Sequence, residues 1–247
     1  MNVPDPVRAG SFGLAAREYE RGRPSYPREA VDWLLPDGQV RVLDLAAGTG
    51  KLTRQIVARG LEVVAVEPSE AMRNELEQAL PGVISLAGSA EDIPLEDGSV
   101  DVVLVAQAWH WVDTRRAVCE VARVLSPGGR LGLVWNVRDE RESWAAQLDR
   151  IMRRGGVQET NTTDPPVGPP FEPIERFDVE WTYNLKPQAL LDLVNSRSYI
   201  ITLPDDQRAE LLDDVRELLA RHRALAGRAE IGMPYITRCS RTRLTEA

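Results

Sequence analysis

Two acids and a run of small residues carry the first chemical hint. Asp44 sits within the apolar run Val42, Leu43 and Leu45, and Glu67 ends the run Val63, Val64, Ala65 and Val66. Between the two acids lies AAGTG, from Ala46 to Gly50. Residues this small let a backbone approach a ligand closely, and a helix opening behind them presents unpaired N–H groups. A carboxylate at Asp44 can brace such a turn or meet a cationic group. A carboxylate at Glu67 can accept from two neighbouring hydroxyls, or simply open the helix that follows Pro68 and Ser69. A second cluster is Gln107-Ala108-Trp109-His110-Trp111, which follows the apolar run VDVVLVA. His110 is one of 2 histidines in the chain, and imidazole has a pKa suited to a base. A histidine in this position also commonly caps the next helix or bonds a tryptophan.

The elements that must hold these groups are legible around residues 40–53, VRVLDLAAGTGKLT. An apolar strand runs into the small-residue turn and then into a helix with Leu52, Ile56 and Val57 along one side. This is the first unit of a nucleotide-binding α/β sheet. The details choose among cofactors. A phosphate-binding GxxxxGK[ST] loop is excluded, because Lys51 is followed by Leu52 and the position five before Gly50 is Leu45. A dinucleotide fingerprint GxGxxG is met at Gly48 and Gly50 but not at Thr53, which weakens NAD without excluding it. What stands is D-x-A-x-G-x-G. S-adenosylmethionine carries an ammonium and a sulfonium and no phosphate, so the Asp44 carboxylate suits it better than a pyrophosphate. Glu67 stands near the distance of roughly 20 residues from the glycines at which a ribose-binding acid is expected.

VLDLAAGTGKLT resembles the first motif of the class I S-adenosylmethionine-dependent methyltransferases, usually VLDLGCGTGxxT, with Ala46-Ala47 replacing Gly-Cys. FGLAAREYERGRPSYP is similar to the signature FGxxAxxYxxxRPxYP of their methyltransferase type 11 branch, which includes trans-aconitate methyltransferase-like proteins. The resemblance implies a seven-stranded, mostly parallel Rossmann-like sheet with an antiparallel C-terminal strand. It also implies a cofactor site of Tyr19, Arg23, Asp44, Ala46, Gly48, Gly50, Glu67, Pro68, Met72, Ala90, Glu91 and Gln107. Tyr19 and Arg23 would lie near the methionine carboxylate, and Ala90 and Glu91 beside the adenine. AQAWHW matches the branch's AQAxHW. It implies Trp109 and Trp111 as a wall near the methyl group, with His110 as the candidate base for a hydroxyl acceptor. SRSY and PYITR resemble further segments of the branch and imply Arg197, Tyr199, Tyr235 and Arg238 as substrate-side groups, against an ordinary structural use of each. S-adenosyl-L-homocysteine would be the product.

Composition bounds the rest. The 247 residues suit one α/β domain with an appended subdomain. A net charge of -8 argues against a nucleic-acid-coating protein. No apolar run of about 18 residues or more signals a membrane span, and the N-terminus lacks the apolar core of a signal peptide. With 2 cysteines there is no disulfide framework and no metal cluster, as expected of a cytoplasmic chain.

Along the chain, residues 14–21 read as a helix broken by Pro24 and Pro27. Strands are expected at 61–67, 83–87, 100–106 and 130–136, with a turn at SPGG, 126–129. Asp113 is the expected N-cap of a helix over 113–125. Residues 138–154 read as an amphipathic helix, and the proline-rich 155–173 as a lid loop. The alternation over 177–184 reads as a half-exposed antiparallel strand. Helices over 188–195 and 204–225 form a cap inserted before the last strand, 231–243. The organisation expected is a cofactor-covering segment at 1–38, the α/β core at 39–137, the lid and cap at 138–230, and a closing strand within 231–247. The function expected is methyl transfer to a small molecule through a carboxylate or hydroxyl group. An NAD-linked oxidoreductase and a cofactor-binding module without catalysis stay open as alternatives.

Overall fold

In a computed structural model of the chain, which describes residues 23–154 and 162–245, the apolar runs fold as strands of a single sheet. The branched side chains of β1 (Arg41–Leu45), β2 (Glu62–Val66) and β4 (Val100–Ala106) point alternately to two faces. Both faces are covered, so these strands read as near-continuous hydrophobic runs. On one face Leu43, Val103 and Leu131 pack against Val121 of α4 (Thr114–Val124). On the other, Val42, Val102 and Leu104 meet Leu34 of α1 (Arg28–Leu34) and Leu52 and Ile56 of α2 (Lys51–Val57). The second helix after a strand, α3 (Glu70–Ala79), is capped by Ser69, which accepts from Met72 N.

The short β3 (Ile84–Leu86) is one edge. At the other side come β5 (Leu125–Arg138), β6 (Glu175–Leu185) and β7 (Ile231–Arg243). The seven strands run in the order β3-β2-β1-β4-β5-β7-β6. The first five are parallel; β7 is antiparallel to both β5 and β6. The sequence order reverses between β1 and β4, and a crevice outside the carboxyl ends of those two strands is where such sheets bind ligands.

Several boundaries differ from the sequence reading for identifiable reasons. The SPGG turn lies inside β5, which pairs at Leu125 with Val100, bulges, and resumes at Arg130 with Val102. Gly128, with φ 71°, absorbs the bulge. Arg138 stays in the strand rather than starting a helix, because β5 continues its pairing with β7 out to Tyr235. The helix α5 (Ser143–Arg153) therefore begins later than expected.

Between β6 and β7 the chain builds α6 (Pro187–Asn195), α7 (Ser198–Ile201) and α8 (Asp205–Arg221). Their leucines and valines share a core with Trp144 and Leu148 of α5 and with Met233 of β7, which is the expected cap. The expected helix at 14–21 lies outside the described residues, as does the first part of the 155–173 loop. The described part of that loop is fastened to the core. Phe171 is buried, Pro166 O accepts from the Trp109 indole, and Arg238 donates to the hydroxyls of Thr162 and Thr163. Among the described residues no helix is long and apolar enough to cross a membrane.

Candidate active site

The site begins with how β1 ends. Ala46 has φ 58°, in the left-handed region that side chains disfavour, and Gly48 and Gly50 follow at 59° and 83°. A Cβ on Gly50 would stand 2.9 Å from Leu76 Cγ, so this position needs glycine on both conformational and steric grounds. The turn is closed by Gly50 N donating to Ala47 O.

Two acids tie the turn down from behind. Asp44 is 0% exposed and its Oδ2 accepts from the Thr53 hydroxyl at 2.5 Å. Its Oδ1 has no partner among the described residues. Burial pushes the Asp44 carboxyl up to about 7, against the opposing effect of the Thr53 bond. Glu67, 7% exposed, accepts from Gly48 N on one oxygen and from Ser69 N on the other, both at 2.9 Å. Burial raises its pKa as well, against these two bonds. Glu67 thus fixes the glycine loop to the end of β2, and each oxygen keeps a second lone pair for a ligand hydroxyl. Met72 packs beneath the same loop, its sulfur 3.7 Å from where a Gly48 Cβ would be. Pro68 lies between Glu67 and Ser69 and lends its carbonyl to Arg73.

The neighbouring strand β4 ends the same way. Gln107 has φ 61°, a second left-handed residue that is not glycine, and its N–H donates to Val134 O of β5. Strained backbone at the carboxyl ends of two adjacent central strands is a mark of a ligand site. Ala46, Gly48 and Gln107 line one cleft at these strand ends. Its far wall is Arg23, Asn136, Arg197 and Tyr235. Asn136 Nδ2 donates to Ser25 O, and Gln55 Nε2 donates to Ser25 Oγ and Tyr26 O. The chain from Arg23 onward is thereby held across the cleft.

The structure brings together Arg23, Ala46, Gly48, Gln107 and Arg197 of the residues expected at the site, with Asp44, Gly50, Glu67 and Met72 supporting them from behind. Others lie elsewhere. Trp109 is not a wall of the cleft: it is 1% exposed, lies in the core under β4, and donates its indole N–H to Pro166 O. A large aromatic ring at a strand end is buried by the loop that crosses it. Ala90 is a core residue, and the Glu91 carboxylate accepts from Asp113 N at 2.7 Å, beside the cap of α4. Asp113 is that N-cap, accepting from Arg115 N and Arg116 N. His110 and Trp111 sit beside the cleft rather than in its wall, their rings 4.7 Å apart. The surrounding protein, and then the charge of Arg23, lower the His110 pKa below the imidazole range. Tyr199 packs against the cap core. Tyr19 lies outside the described residues.

Two residues that the motif reading gave no role have one here: Thr53 is the hydroxyl that bonds Asp44, and Asn136 joins the sheet to the segment at Ser25. Tyr235, expected on the substrate side, lines the cleft from β7. Only Thr53 had a local signal, at the position where a dinucleotide site would carry glycine.

Comparison with known proteins places the chain among methyltransferases. The family model of the methyltransferase domain matches residues 43–133. An uncharacterized methyltransferase of Mycobacterium tuberculosis is 58% identical over 234 residues, 95% of this chain and 96% of its own. A malonyl-(acyl-carrier protein) O-methyltransferase of Methylococcus capsulatus is 38% identical over 133 residues, 49% of this chain and 48% of its own. A solved structure from Anaeromyxobacter dehalogenans, described as a candidate type II methyltransferase, is similar with a TM-score of 0.68 at 25% identity, over 91% of this chain and 99% of its own. The first of these relatives spans nearly the whole chain, glycine loop and cap alike, and so the chain belongs to the class I S-adenosylmethionine-dependent methyltransferases, in their methyltransferase type 11 branch.

Proposed function

We propose that the chain methylates an oxygen, carboxylate or hydroxyl, of a small molecule in the cytoplasm, with S-adenosyl-L-methionine as donor. The observation that carries this reading is the cleft at the ends of β1 and β4, where Ala46, Gly48 and Gln107 meet the cap-side residues Arg197 and Tyr235.

The residues fit the cofactor. The loop at Gly48 offers close backbone approach, and the buried carboxyl groups of Asp44 and Glu67 behind it make a poor setting for a phosphate. Glu67 would accept from the ribose hydroxyls, Gln107 would contact the cofactor, and Arg23 would face the methionine carboxylate. When bound, the cofactor supplies an electrophilic methyl group on a sulfonium. The protein's share is to position the acceptor oxygen opposite it and to exclude water, through the segment at Arg23 on one side and the cap on the other. A carboxylate acceptor needs no base. For a hydroxyl, His110 is the candidate base; its lowered pKa leaves the imidazole neutral at pH 7 but makes it a weaker base than a free imidazole.

A cleft enclosed by a helical cap suits a small molecule, and the net charge of -8 opposes nucleic acid. The name of the Methylococcus relative supports oxygen as the accepting atom. Incubation with cofactor labelled in its methyl group and a panel of carboxylic acids and phenols tests the reading. Label should pass into a small organic product. Transfer only to added protein or RNA would overturn it.

A further inference from the structure

The outer strand of the sheet carries a side chain that acts on the cleft without lining it. Trp181 of β6 stands opposite Tyr235 of β7, and two residues along β7 Thr237 stands opposite Asn136 of β5. These side chains share one face of the sheet. Asn136 and Tyr235 line the cleft; Trp181 and Thr237 lie behind them. The Trp181 ring is stacked on Tyr235, with centroids 5.5 Å apart and 24° between planes, and is tilted against Tyr183 at 6.2 Å. Packed against both rings, the indole aims its N–H at the Thr237 hydroxyl, 2.8 Å away. Thr237 is 0% exposed, and its hydroxyl donates to Asn136 Oδ1 at 2.6 Å. Asn136 Nδ2 in turn donates to Ser25 O at 3.0 Å.

The direction of this chain of bonds is set at its start. An indole nitrogen can only donate, so it occupies a lone pair of the Thr237 hydroxyl and leaves that hydroxyl's single hydrogen for Asn136. The Asn136 amide then turns its oxygen to Thr237 and its NH2 to the Ser25 carbonyl. With the amide reversed, oxygen would face oxygen at Ser25, and the segment that crosses the cleft from Arg23 would lose its bond to β5. Gln107 leans on the same residue: its side chain donates to the Asn136 carbonyl at 3.4 Å, and Gln107 lines the cleft. In a buried chain of hydrogen bonds each one polarises and orients the next.

Resting on the methyltransferase reading above, we infer that Trp181, on the edge of the sheet and outside the cleft, is a positioning residue for the cofactor. Its indole N–H fixes the orientation of the Asn136 amide, and through it the segment that closes over the bound molecule. The inference concerns retention: Trp181 governs how long the cofactor stays under that segment.

The test is S-adenosylhomocysteine binding, by calorimetry and by dissociation rate, at a temperature where every variant is folded. T237V keeps the side-chain shape and removes the hydroxyl. W181F keeps a ring against Tyr235 and removes the N–H. Each should weaken binding by about three- to tenfold, with faster dissociation. T237S keeps the hydroxyl and should keep the affinity. W181F/T237V should bind about as the weaker-binding single variant does, because both act through one chain. V179A, on the same strand, removes buried methyl groups and should lower Tm while leaving affinity unchanged. Unchanged affinity in W181F or T237V, losses that multiply in the double variant, or T237S binding no better than T237V would overturn the inference. So would a loss in V179A equal to that in W181F, because any loosening of β6 would then suffice. If the unaltered protein does not bind S-adenosylhomocysteine, the methyltransferase reading fails and this inference with it; if it binds and W181F binds equally well, only this inference fails.

Discussion

Thr53 illustrates how one hydroxyl changes the meaning of a loop. Where a dinucleotide site would place a third glycine, this chain places a hydroxyl that donates to the buried Asp44 side chain. Replacing Thr53 with valine keeps the shape and removes that donor. It should destabilise the fold by about 1–3 kcal/mol, the scale for a stranded buried acceptor, and lower Tm by several degrees. A differential scanning measurement showing no change would remove Thr53 from the support of the loop. Asp44 itself makes a pH prediction. Its carboxyl is raised from 3.8 to about 7 in the folded chain. The folded protein therefore holds more protons than the unfolded chain between those values, and the Asp44 contribution to stability is lost as pH rises through that window. D44N, which cannot titrate, should flatten the stability profile between about pH 4 and 7 in denaturant melts. An unaltered slope would contradict the assignment. Ala46 holds a left-handed φ of 58° that costs an alanine about 1–2 kcal/mol. A46G should be neutral or stabilising by up to roughly 1 kcal/mol once the glycine entropy is counted. Clear destabilisation would show that the alanine methyl is used in packing.

At the scale of elements, local pattern carried further than contacts did. The strand, turn and helix around Gly48, the N-cap at Asp113, and the alternation in β6 were legible because each signal sits within a few residues. The cap was legible because helices stand between two strands that pair. Trp109 was misplaced because its sequence neighbours say nothing of Pro166, which covers it from another loop. Asn136 was hidden for the same reason: its place at the cleft depends on the pairing of β5 with β7. Asn136 links the Trp181 indole, through the Thr237 hydroxyl, to the carbonyl of Ser25. This chain of bonds ties β6, β7 and β5 to the segment bearing Arg23. N136A should leave the sheet folded and loosen that segment, weakening S-adenosylhomocysteine by roughly 1–2 kcal/mol with a faster dissociation rate. Stopped-flow dissociation unchanged from the parent would mean that the segment is held by other contacts.

Across the whole molecule, the sheet places its switch point between β1 and β4 and closes its far side with an antiparallel pair that carries the cap. The two halves then share the work of one cleft. The sheet end supplies small residues backed by two buried acids, and the other side supplies Arg197 and Tyr235. Cofactor class is the claim on which the rest depends, and a thermal shift with S-adenosylhomocysteine beside NAD tests it most directly. Ligand at about 100 times its dissociation constant adds roughly 2.7 kcal/mol, or a rise on the order of 5–10 °C for a chain of this size. The structure predicts that rise with S-adenosylhomocysteine and none with NAD. A rise with NAD alone, or with neither, would contradict it.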